Sequence, residues 1–364
     1  MEKSFLGANS PTGFFSYYSD LQEDARIQSL YIIKGGSGCG KSTFMKKLAS
    51  AAEARGAQTE RLLCSSDPES LDGLIVPQAG MAFVDGTAPH VCEPLFCGAR
   101  ARYLDFSLCY HARLAEHYDT LKKIKKKNQA CYPHATALLS AAVCLERELQ
   151  EMAGAAAEQQ AADFAERLLA EEQLAGEGTP PMRKRFLSAF TPEGVQCRYE
   201  TLRAEYDRVY VLRDPYALTG RILPFILKRL GREAGTVFVG YSPMRTREPE
   251  QILLPERRIA IVRSAQQMPY RGEASAVLDL DACIAERLSD EERRRLAFLS
   301  CTVNALQGEA IHHLQEAKRH HDALEKICGE YVDFSAVDAL TEQYCHVLTD
   351  ALAERENEKE HESL

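Results

Sequence analysis

The stretch YIIKGGSGCGKSTFMKKL, residues 31–48, carries the strongest structural signal in this chain. Its segment GGSGCGKS, residues 35–42, fits the pattern G-x-x-x-x-G-K-[ST], in which the backbone N–H groups of a glycine-rich loop surround phosphate oxygens. An apolar run precedes the loop and a helical pattern follows it, which is the context that the motif requires. The alternative is a glycine turn that happens to precede Lys-Ser. The stretch therefore predicts a strand, a phosphate-binding loop and a helix in succession.

Each residue type in this loop has a chemical reason. The N-terminus of the following helix adds partial positive charge. Lys41 is expected to reach the β- and γ-phosphates, and the Ser42 hydroxyl to ligate Mg²⁺. The predicted nucleotide-binding residues form one run, namely Gly35, Gly36, Ser37, Gly38, Cys39, Gly40, Lys41, Ser42 and Thr43.

A Mg²⁺-bound triphosphate needs a second acidic group on a neighbouring strand. The apolar run MAFVD, residues 81–85, ends in Asp85. We predict that Asp85 is the second metal ligand beside Ser42, and that it joins Lys41 in the catalytic set. The alternative is an ordinary strand-end aspartate that caps a turn.

Polar residues also follow the middle predicted strand, in CSSDPESLDG, residues 64–73. Ligands bind at the carboxyl ends of parallel strands. Asp67 is therefore the third predicted catalytic residue, positioning a water molecule or a substrate hydroxyl, and Asp72 is a weaker candidate for the same task. Asx turns are the alternative for both. His90, just beyond the strand that ends in Asp85, is either a polar site residue or a loop histidine.

The chain contains a long internal repeat. The matching blocks keep their order: SFLGANSPTG (4–13) with RFLSAFTPEG (185–194), LYIIK (30–34) with VYVLR (209–213), and LIVPQAGMAFVDG (74–86) with ILLPERRIAIVRS (252–264). We interpret the repeat as a duplication whose boundary lies in the Gly/Pro-rich stretch 175–181. The predicted domains are a P-loop nucleotide-binding domain, 1–178, and a repeat of it, 179–364.

Strands alternate with helices in each half, and each half closes with a long Ala/Leu/Glu/Lys-rich helical region. The predicted strands are 29–34, 60–64 and 81–85, then 208–213, 235–240 and 258–262, and the predicted helices are 41–55 and 221–232, with long helical regions at 108–173 and 287–355. This order predicts an α/β fold of two tandem P-loop NTPase-like parallel sheets, each with a long helical hairpin.

The second half has lost the phosphate loop. VYVLRDPYALTGRI, residues 209–222, aligns with LYIIKGGSGCGKST; it places Pro215, which has no N–H group, over the glycines and retains no lysine. The position of Asp85 becomes Arg263. The second half is either a structural partner or a source of arginines for the first site. The structural role is favoured, since nothing in the sequence shows the two halves facing each other.

Composition limits the classes of function. The chain of 364 residues has a formal net charge of −9, which gives no reason to expect nucleic-acid binding. It contains no apolar stretch of about 18 residues, so no membrane helix is expected. The first residues show no basic region followed by an apolar one, so no secretory signal is expected, and the twelve cysteines include no C-x-x-C pair. We therefore expect reduced thiols in a cytoplasmic protein.

FLGANSPTGFFSYY, IIKGGSGCGKST, CSSDPESLDGLIVP and FVDGTAPH, followed by a long helical region and a second related half, resemble a bacterial family of tandem P-loop ATPase-like proteins. The resemblance covers nearly the whole chain. It implies ATP binding by Gly35 to Thr43 and by Asp85, and it supplies no substrate. Members of that family usually carry an intact loop in both halves, so the second half departs from the pattern and argues against a two-site mechanism.

The leading hypothesis is a Mg²⁺-dependent ATPase with one site in the first half. ATP is expected from the resemblance and from the missing guanine-specific N-K-x-D pattern. One alternative is a small-molecule or nucleotide kinase, in which Asp67 binds an acceptor hydroxyl and the helical hairpin acts as a lid. Another is a non-catalytic nucleotide sensor whose helical hairpins bind a partner protein.

Overall fold

The computed structural model describes residues 3–200, 202–285 and 287–362. Along the first half the elements are β1 (Lys3–Ser4), β2 (Gly7–Ser10), β3 (Gly13–Ser16), β4 (Ser29–Lys34), α1 (Lys41–Glu53), β5 (Glu60–Leu63), β6 (Leu71–Val76), β7 (Met81–Asp85), β8 (Ala101–Asp105) and α2 (Tyr118–Glu171).

The second half repeats most of this order. Its elements are β9 (Met182–Arg185), β10 (Ser188–Thr191), β11 (Gly194–Cys197), α3 (Leu202–Glu205), β12 (Arg208–Arg213), α4 (Thr219–Leu227), β13 (Val237–Tyr241), β14 (Pro249–Leu254), β15 (Ile259–Ser264), β16 (Ala276–Asp279), α5 (Leu280–Ala285), α6 (Asp290–Gly329) and α7 (Phe334–Glu362).

Two six-stranded sheets have the same topology. Their strand orders are β1-β5-β6-β7-β4-β8 and β9-β13-β14-β15-β12-β16. In both sheets one strand, β6 or β14, runs antiparallel to its two neighbours, while the other pairs are parallel. The shared order agrees with the repeat found in the sequence.

The α/β prediction is confirmed, but the prediction of parallel sheets is wrong, because both sheets are mixed. Only residues 64–70 separate β5 from β6. A parallel pair needs a crossover of a dozen or more residues, so a connection this short makes the second strand return antiparallel.

The repeat extends to the turns of the two small hairpins, β2–β3 and β10–β11. Gly13 and Gly194 occupy the same place in these turns, with φ angles of 98° and 115°. Ser10 donates its hydroxyl to the carbonyl oxygen of Gly13 (2.6 Å), and Thr191 donates to that of Gly194 (2.9 Å). The Ser/Thr-Pro-x-Gly sequence therefore specifies the same turn twice.

The long helices differ from the predicted pair of hairpins. The prediction of a hairpin for the first region is wrong, because α2 is a single helix of 54 residues that continues through Pro133. The second region is a hairpin, α6 and α7, joined by residues 330–333. None of the helices in the described ranges combines the length and the apolar composition needed to cross a bilayer.

Contacts divide the described chain into two compact units that do not coincide with the sequence halves. Among the described residues, the unit that we call the cradle unit comprises 3–7, 16–132 and 314–362, and the companion unit comprises 8–15 and 133–313. The boundary near residue 178 separates the repeats, but each compact unit combines one sheet with helices from both halves.

In the core of the cradle unit, a helix from one half of the sequence packs on the sheet of the other half. We call this arrangement the exchange of helices. Tyr344, on α7 of the second half, packs its ring against Tyr31, Phe44 and Phe83 of the first half, with ring centroids 5.2, 6.0 and 6.2 Å apart. Phe44 and Phe83 are fully buried. The sheet that carries the glycine loop is therefore covered by a helix from the other end of the chain.

The core of the companion unit shows the converse. The Ala-rich part of α2 packs Ala153, Ala157 and Phe164 into one buried cluster with side chains of the second sheet and of α4. The ring of Phe164 lies 6.4 Å from that of Tyr210 on β12, edge to face. Small alanine side chains let the helix approach the sheet closely.

Candidate functional site

The glycine loop joins the end of β4 to the start of α1. Gly38 and Gly40 have φ angles of 74° and 86°, in the left-handed region that favours glycine. A Cβ atom at Gly38 would also lie 2.9 Å from the carbonyl oxygen of Glu325, near the end of α6. Helix α1 begins at Lys41, directly after the loop, so its unpaired N–H groups face the loop. Backbone conformation and close packing together require glycine at Gly38.

Lys41 is folded back onto the loop. Its Nζ donates to the carbonyl oxygens of Gly35 (2.9 Å) and Gly36 (2.8 Å) and lies 3.6 Å from Oδ2 of Asp85. The side chains of Lys41 and Asp85 are each 12% exposed. The ammonium group is thus held at the loop by acceptors that anionic oxygens can replace.

The two predicted metal ligands lie on adjoining elements. Asp85 ends β7, which pairs in parallel with β4, and its Cα is in register with that of Ile33. Its carboxylate accepts hydrogen bonds from the N–H (2.8 Å) and the hydroxyl of Thr87. The Ser42 hydroxyl oxygen accepts from the N–H of Leu71, at the start of β6 (2.9 Å). A hydroxyl and a carboxylate are hard oxygen donors of the kind that Mg²⁺ prefers.

The remaining predicted loop residues differ in exposure. Thr43 is exposed and Ser37 is half-buried, and the carbonyl oxygen of Ser37 accepts a hydrogen bond from the Tyr110 hydroxyl (2.8 Å). Cys39 is buried and donates to the carbonyl oxygen of Gly36 (3.1 Å). Burial raises the pKa of the Cys39 thiol. The side chain of Cys39 therefore belongs to the packing beneath the loop.

Asp67 lies in the turn between β5 and β6. Its carboxylate accepts from the Ser70 hydroxyl (2.7 Å), and its carbonyl oxygen accepts from the Ser70 N–H (2.8 Å). Its other carboxylate oxygen lies 3.8 Å from Nζ of Lys318, on α6. These contacts place Asp67 in a local turn and beside a cation, and its predicted role in positioning water stays a prediction.

Helix α6 of the second half supplies side chains to the cradle unit that the sequence reasoning missed. Glu325 lies 3.4 Å from His321, and this contact, with the nearby cations Lys318 and Lys41, lowers the pKa of Glu325. Burial opposes this shift. No local sequence signal places residues 318–325 next to the loop, because that proximity depends on the exchange of helices.

Three buried side chains with metal-binding chemistry converge beside the loop. Cys64 follows β5, Asp72 lies in β6 and His90 follows β7, and they are 8%, 5% and 6% exposed. One donor atom from each lies within 4.8 Å of the others, and Nε2 of His90 is 3.4 Å from Oδ2 of Asp72. Burial raises the pKa of Asp72, and the adjacent His90 opposes the shift.

The sequence alone marks Asp72 and His90 as separate candidates and gives no reason to group them with Cys64. The grouping depends on the direction of β6. Because β6 runs antiparallel to β5 and β7, its first residues lie at the same edge of the sheet as the last residues of those strands. A parallel sheet does not predict this cluster.

The corresponding position of the companion unit is filled by ion pairs. Arg263 Nη1 bonds Oε1 of Glu250 (2.7 Å), and its Nε donates to the carbonyl oxygen of Asp214 (3.1 Å). The Asp214 carboxylate accepts from the N–H (2.6 Å) and hydroxyl (2.5 Å) of Thr219 at the start of α4. These groups occupy the strand–loop–helix junction, where the first half has its glycine loop.

A cavity of about 90 Å³ lies at this junction, lined among others by Pro215, Tyr216, Ser242, Glu250 and Arg263. Arg263 is held within the companion unit by its carboxylate partners, and Arg245 is held by Glu146 and Glu248. These contacts give both arginines structural partners of their own.

Comparisons with protein-family models, with curated proteins and with solved structures found no match for this chain. The case for any function therefore rests on the residues described above and on their chemistry.

Proposed function

We propose that this protein is a Mg²⁺-dependent P-loop NTPase that binds ATP and hydrolyses it at a single site in the first half of the chain. One observation carries the proposal. Nζ of Lys41, the first residue of α1, donates hydrogen bonds to two carbonyl oxygens of the glycine loop. It lies 3.6 Å from Oδ2 of Asp85, at the end of β7. That arrangement brings together the cation, the backbone amides and the carboxylate that the chemistry needs.

Each group has a role in the proposal. The N–H groups of the loop and of the first turn of α1 bind phosphate oxygens. Lys41 neutralises the charge that develops on the β- and γ-phosphates. Ser42 and Asp85 would hold Mg²⁺, which would supply positive charge to the phosphates. Asp67 positions the attacking water, with Lys318 beside it.

The proposal assigns one site to the chain. The companion unit has Arg263 where the cradle unit has Asp85, and Pro215 has no N–H to offer a phosphate. Its junction is occupied by the pairs of Arg263 with Asp214 and Glu250. ATP, rather than GTP, follows from the family resemblance and from the missing N-K-x-D pattern.

The test is nucleotide turnover by the purified chain with Mg²⁺, using ATP and GTP without an added acceptor. Lys41→Ala should lower ATP turnover by about 100-fold or more, because a preorganised cation is removed from the reacting phosphates. Lys46→Ala is the matched control, since Lys46 lies on the exposed side of the same helix and should leave turnover unchanged.

Equal turnover by Lys41→Ala and the wild type would refute the proposal. Nucleotide binding without turnover would replace the ATPase by a sensor. ATP consumption that requires an added acceptor would replace it by a kinase that uses the same loop.

A further inference from the structure

We propose that Cys64, Asp72 and His90 form a binding site for a divalent transition-metal ion of the zinc type. This site is separate from the Mg²⁺ site proposed at Ser42 and Asp85, and it does not depend on nucleotide binding.

The geometry suits a small, tightly bound ion. In a tetrahedral zinc site, nitrogen and oxygen donors lie ~3.3 Å apart, and sulfur and nitrogen donors ~3.5 Å apart, given the usual bond lengths. The observed distance from His90 Nε2 to Asp72 Oδ2 is 3.4 Å, and the thiol of Cys64 lies within 4.8 Å of both. Small side-chain movements are enough to bring the three donors to one ion.

The donors are fixed by surrounding structure. They come from three separate segments, which end or begin at one edge of the first sheet. The ring of Tyr18 packs edge-on against the imidazole of His90, with centroids 5.7 Å apart. Tyr18 is itself buried, at 1% exposure. This packing limits the rotation of the His90 ring.

Local charge also favours a cation. Asp72 and Asp85 are both buried, and burial together with the nearby charge of Asp85 raises the pKa of Asp72. Lys41 is paired with Asp85, at 3.6 Å. Burying a carboxylate is costly unless it is paired or coordinates a metal. A divalent ion held by Asp72, His90 and Cys64 would neutralise this carboxylate more fully than His90 does alone.

The set of donors selects the kind of ion. A thiolate and an imidazole are soft or borderline ligands that favour Zn²⁺ or Co²⁺, whereas Mg²⁺ prefers oxygen donors only. Three protein ligands also leave the fourth tetrahedral position open.

The second repeat serves as an internal comparison. Ser242, Glu250 and Met268 stand 178 residues after Cys64, Asp72 and His90. In the companion unit Glu250 is paired with Arg263 instead. The second repeat therefore has a serine in place of the Cys64 thiol and a methionine in place of the His90 imidazole. It also has Arg263 in place of the nearby Asp85 carboxylate.

The experiment is a titration of the metal-free full-length chain with Co²⁺ alone, followed by the near-ultraviolet band of thiolate-to-cobalt charge transfer. We expect saturation at about one ion per chain and displacement of Co²⁺ by Zn²⁺. Cys64→Ser should abolish the charge-transfer band, and His90→Ala should weaken binding at least about tenfold. Cys92→Ser is the control, since Cys92 is buried in the same unit but lies outside the cluster.

A second measurement uses the wild-type chain, so it does not depend on whether the variants fold. In mild urea, at which the buried Cys64 of the metal-free chain becomes reactive, Zn²⁺ should slow the alkylation of Cys64 but not that of the exposed Cys97, as read by peptide mass spectrometry. Lys41→Ala should bind Co²⁺ like the wild type, which keeps this proposal distinct from the nucleotide site. No charge-transfer band and no protection in the wild type, or a band that survives Cys64→Ser, would reduce the cluster to a buried hydrogen-bonded group.

Discussion

At the scale of single residues, the glycine loop owes its shape to contacts on both of its sides. On one side, Nζ of Lys41 lies 3.6 Å from Oδ2 of Asp85, and on the other side Cys39 is buried. Gly38 lies against the backbone of Glu325 with no room for a side chain. The residues that the motif predicts for phosphate binding are therefore also constrained by packing.

Gly38→Ala should lower the free energy of unfolding of the protein by about 1–3 kcal/mol, because alanine disfavours the left-handed conformation and its Cβ would collide with the carbonyl of Glu325. Urea unfolding followed by circular dichroism measures the change. The control is Gly308→Ala, within α6, where a Cβ meets no atom within 4 Å. This control should be neutral or stabilising by up to about 1 kcal/mol. If both variants unfold like the wild type, the loop backbone at Gly38 does not have the conformation described.

At the scale of elements, the local sequence predicted what depends on local interactions. The strand 29–34, the strand 81–85 and the start of the helix at Lys41 lie where the apolar pattern and the glycines place them. Such patterns are informative because side-chain periodicity differs between strands and helices.

Features that depend on distant parts of the chain were missed. The short turn before β6 fixes its antiparallel direction, and the apolar run LIV gives no sign of it. Neither the continuity of α2 through Pro133 nor the packing of Tyr344 on Phe83 follows from a local pattern. The cluster of Cys64, Asp72 and His90 depends on the direction of β6 and was missed for that reason.

Because each sheet packs against a helix from the other half of the sequence, we expect neither half to fold alone when the chain is divided after residue 178. A fragment of residues 1–178 lacks α7, so it leaves the aromatic side of its sheet, including Phe44 and Phe83, without the Tyr344 ring. A fragment of residues 179–364 likewise lacks the alanine-rich face of α2. Each fragment alone should show no cooperative thermal unfolding.

The two fragments expressed together should associate and recover a cooperative transition, as measured by size-exclusion chromatography and circular dichroism. This pair is its own control, because it contains every residue of the chain. A fragment 1–178 that unfolds cooperatively by itself would contradict the exchange.

At the scale of the whole molecule, one chain carries two copies of the same six-stranded sheet with different chemistry at the same place. The first copy has a glycine loop with Lys41 and Asp85, and the second has Asp214, Glu250 and Arg263 joined by ion pairs. Removing one partner of a buried ion pair leaves an unpaired buried charge and lowers the stability of the fold. The stability of the second copy therefore depends on these three residues being present together. The two copies therefore differ in chemistry at the same junction, and the proposed function assigns phosphate binding to the first copy alone.

The number of ATP molecules bound per chain tests the central claim most directly. Isothermal titration calorimetry with a non-hydrolysable ATP analogue and excess Mg²⁺ gives this number for the wild type and for Lys41→Ala. The proposed site predicts one ATP per wild-type chain and a large loss of affinity in the variant. Two bound nucleotides, none, or one that binds equally well to Lys41→Ala would contradict it.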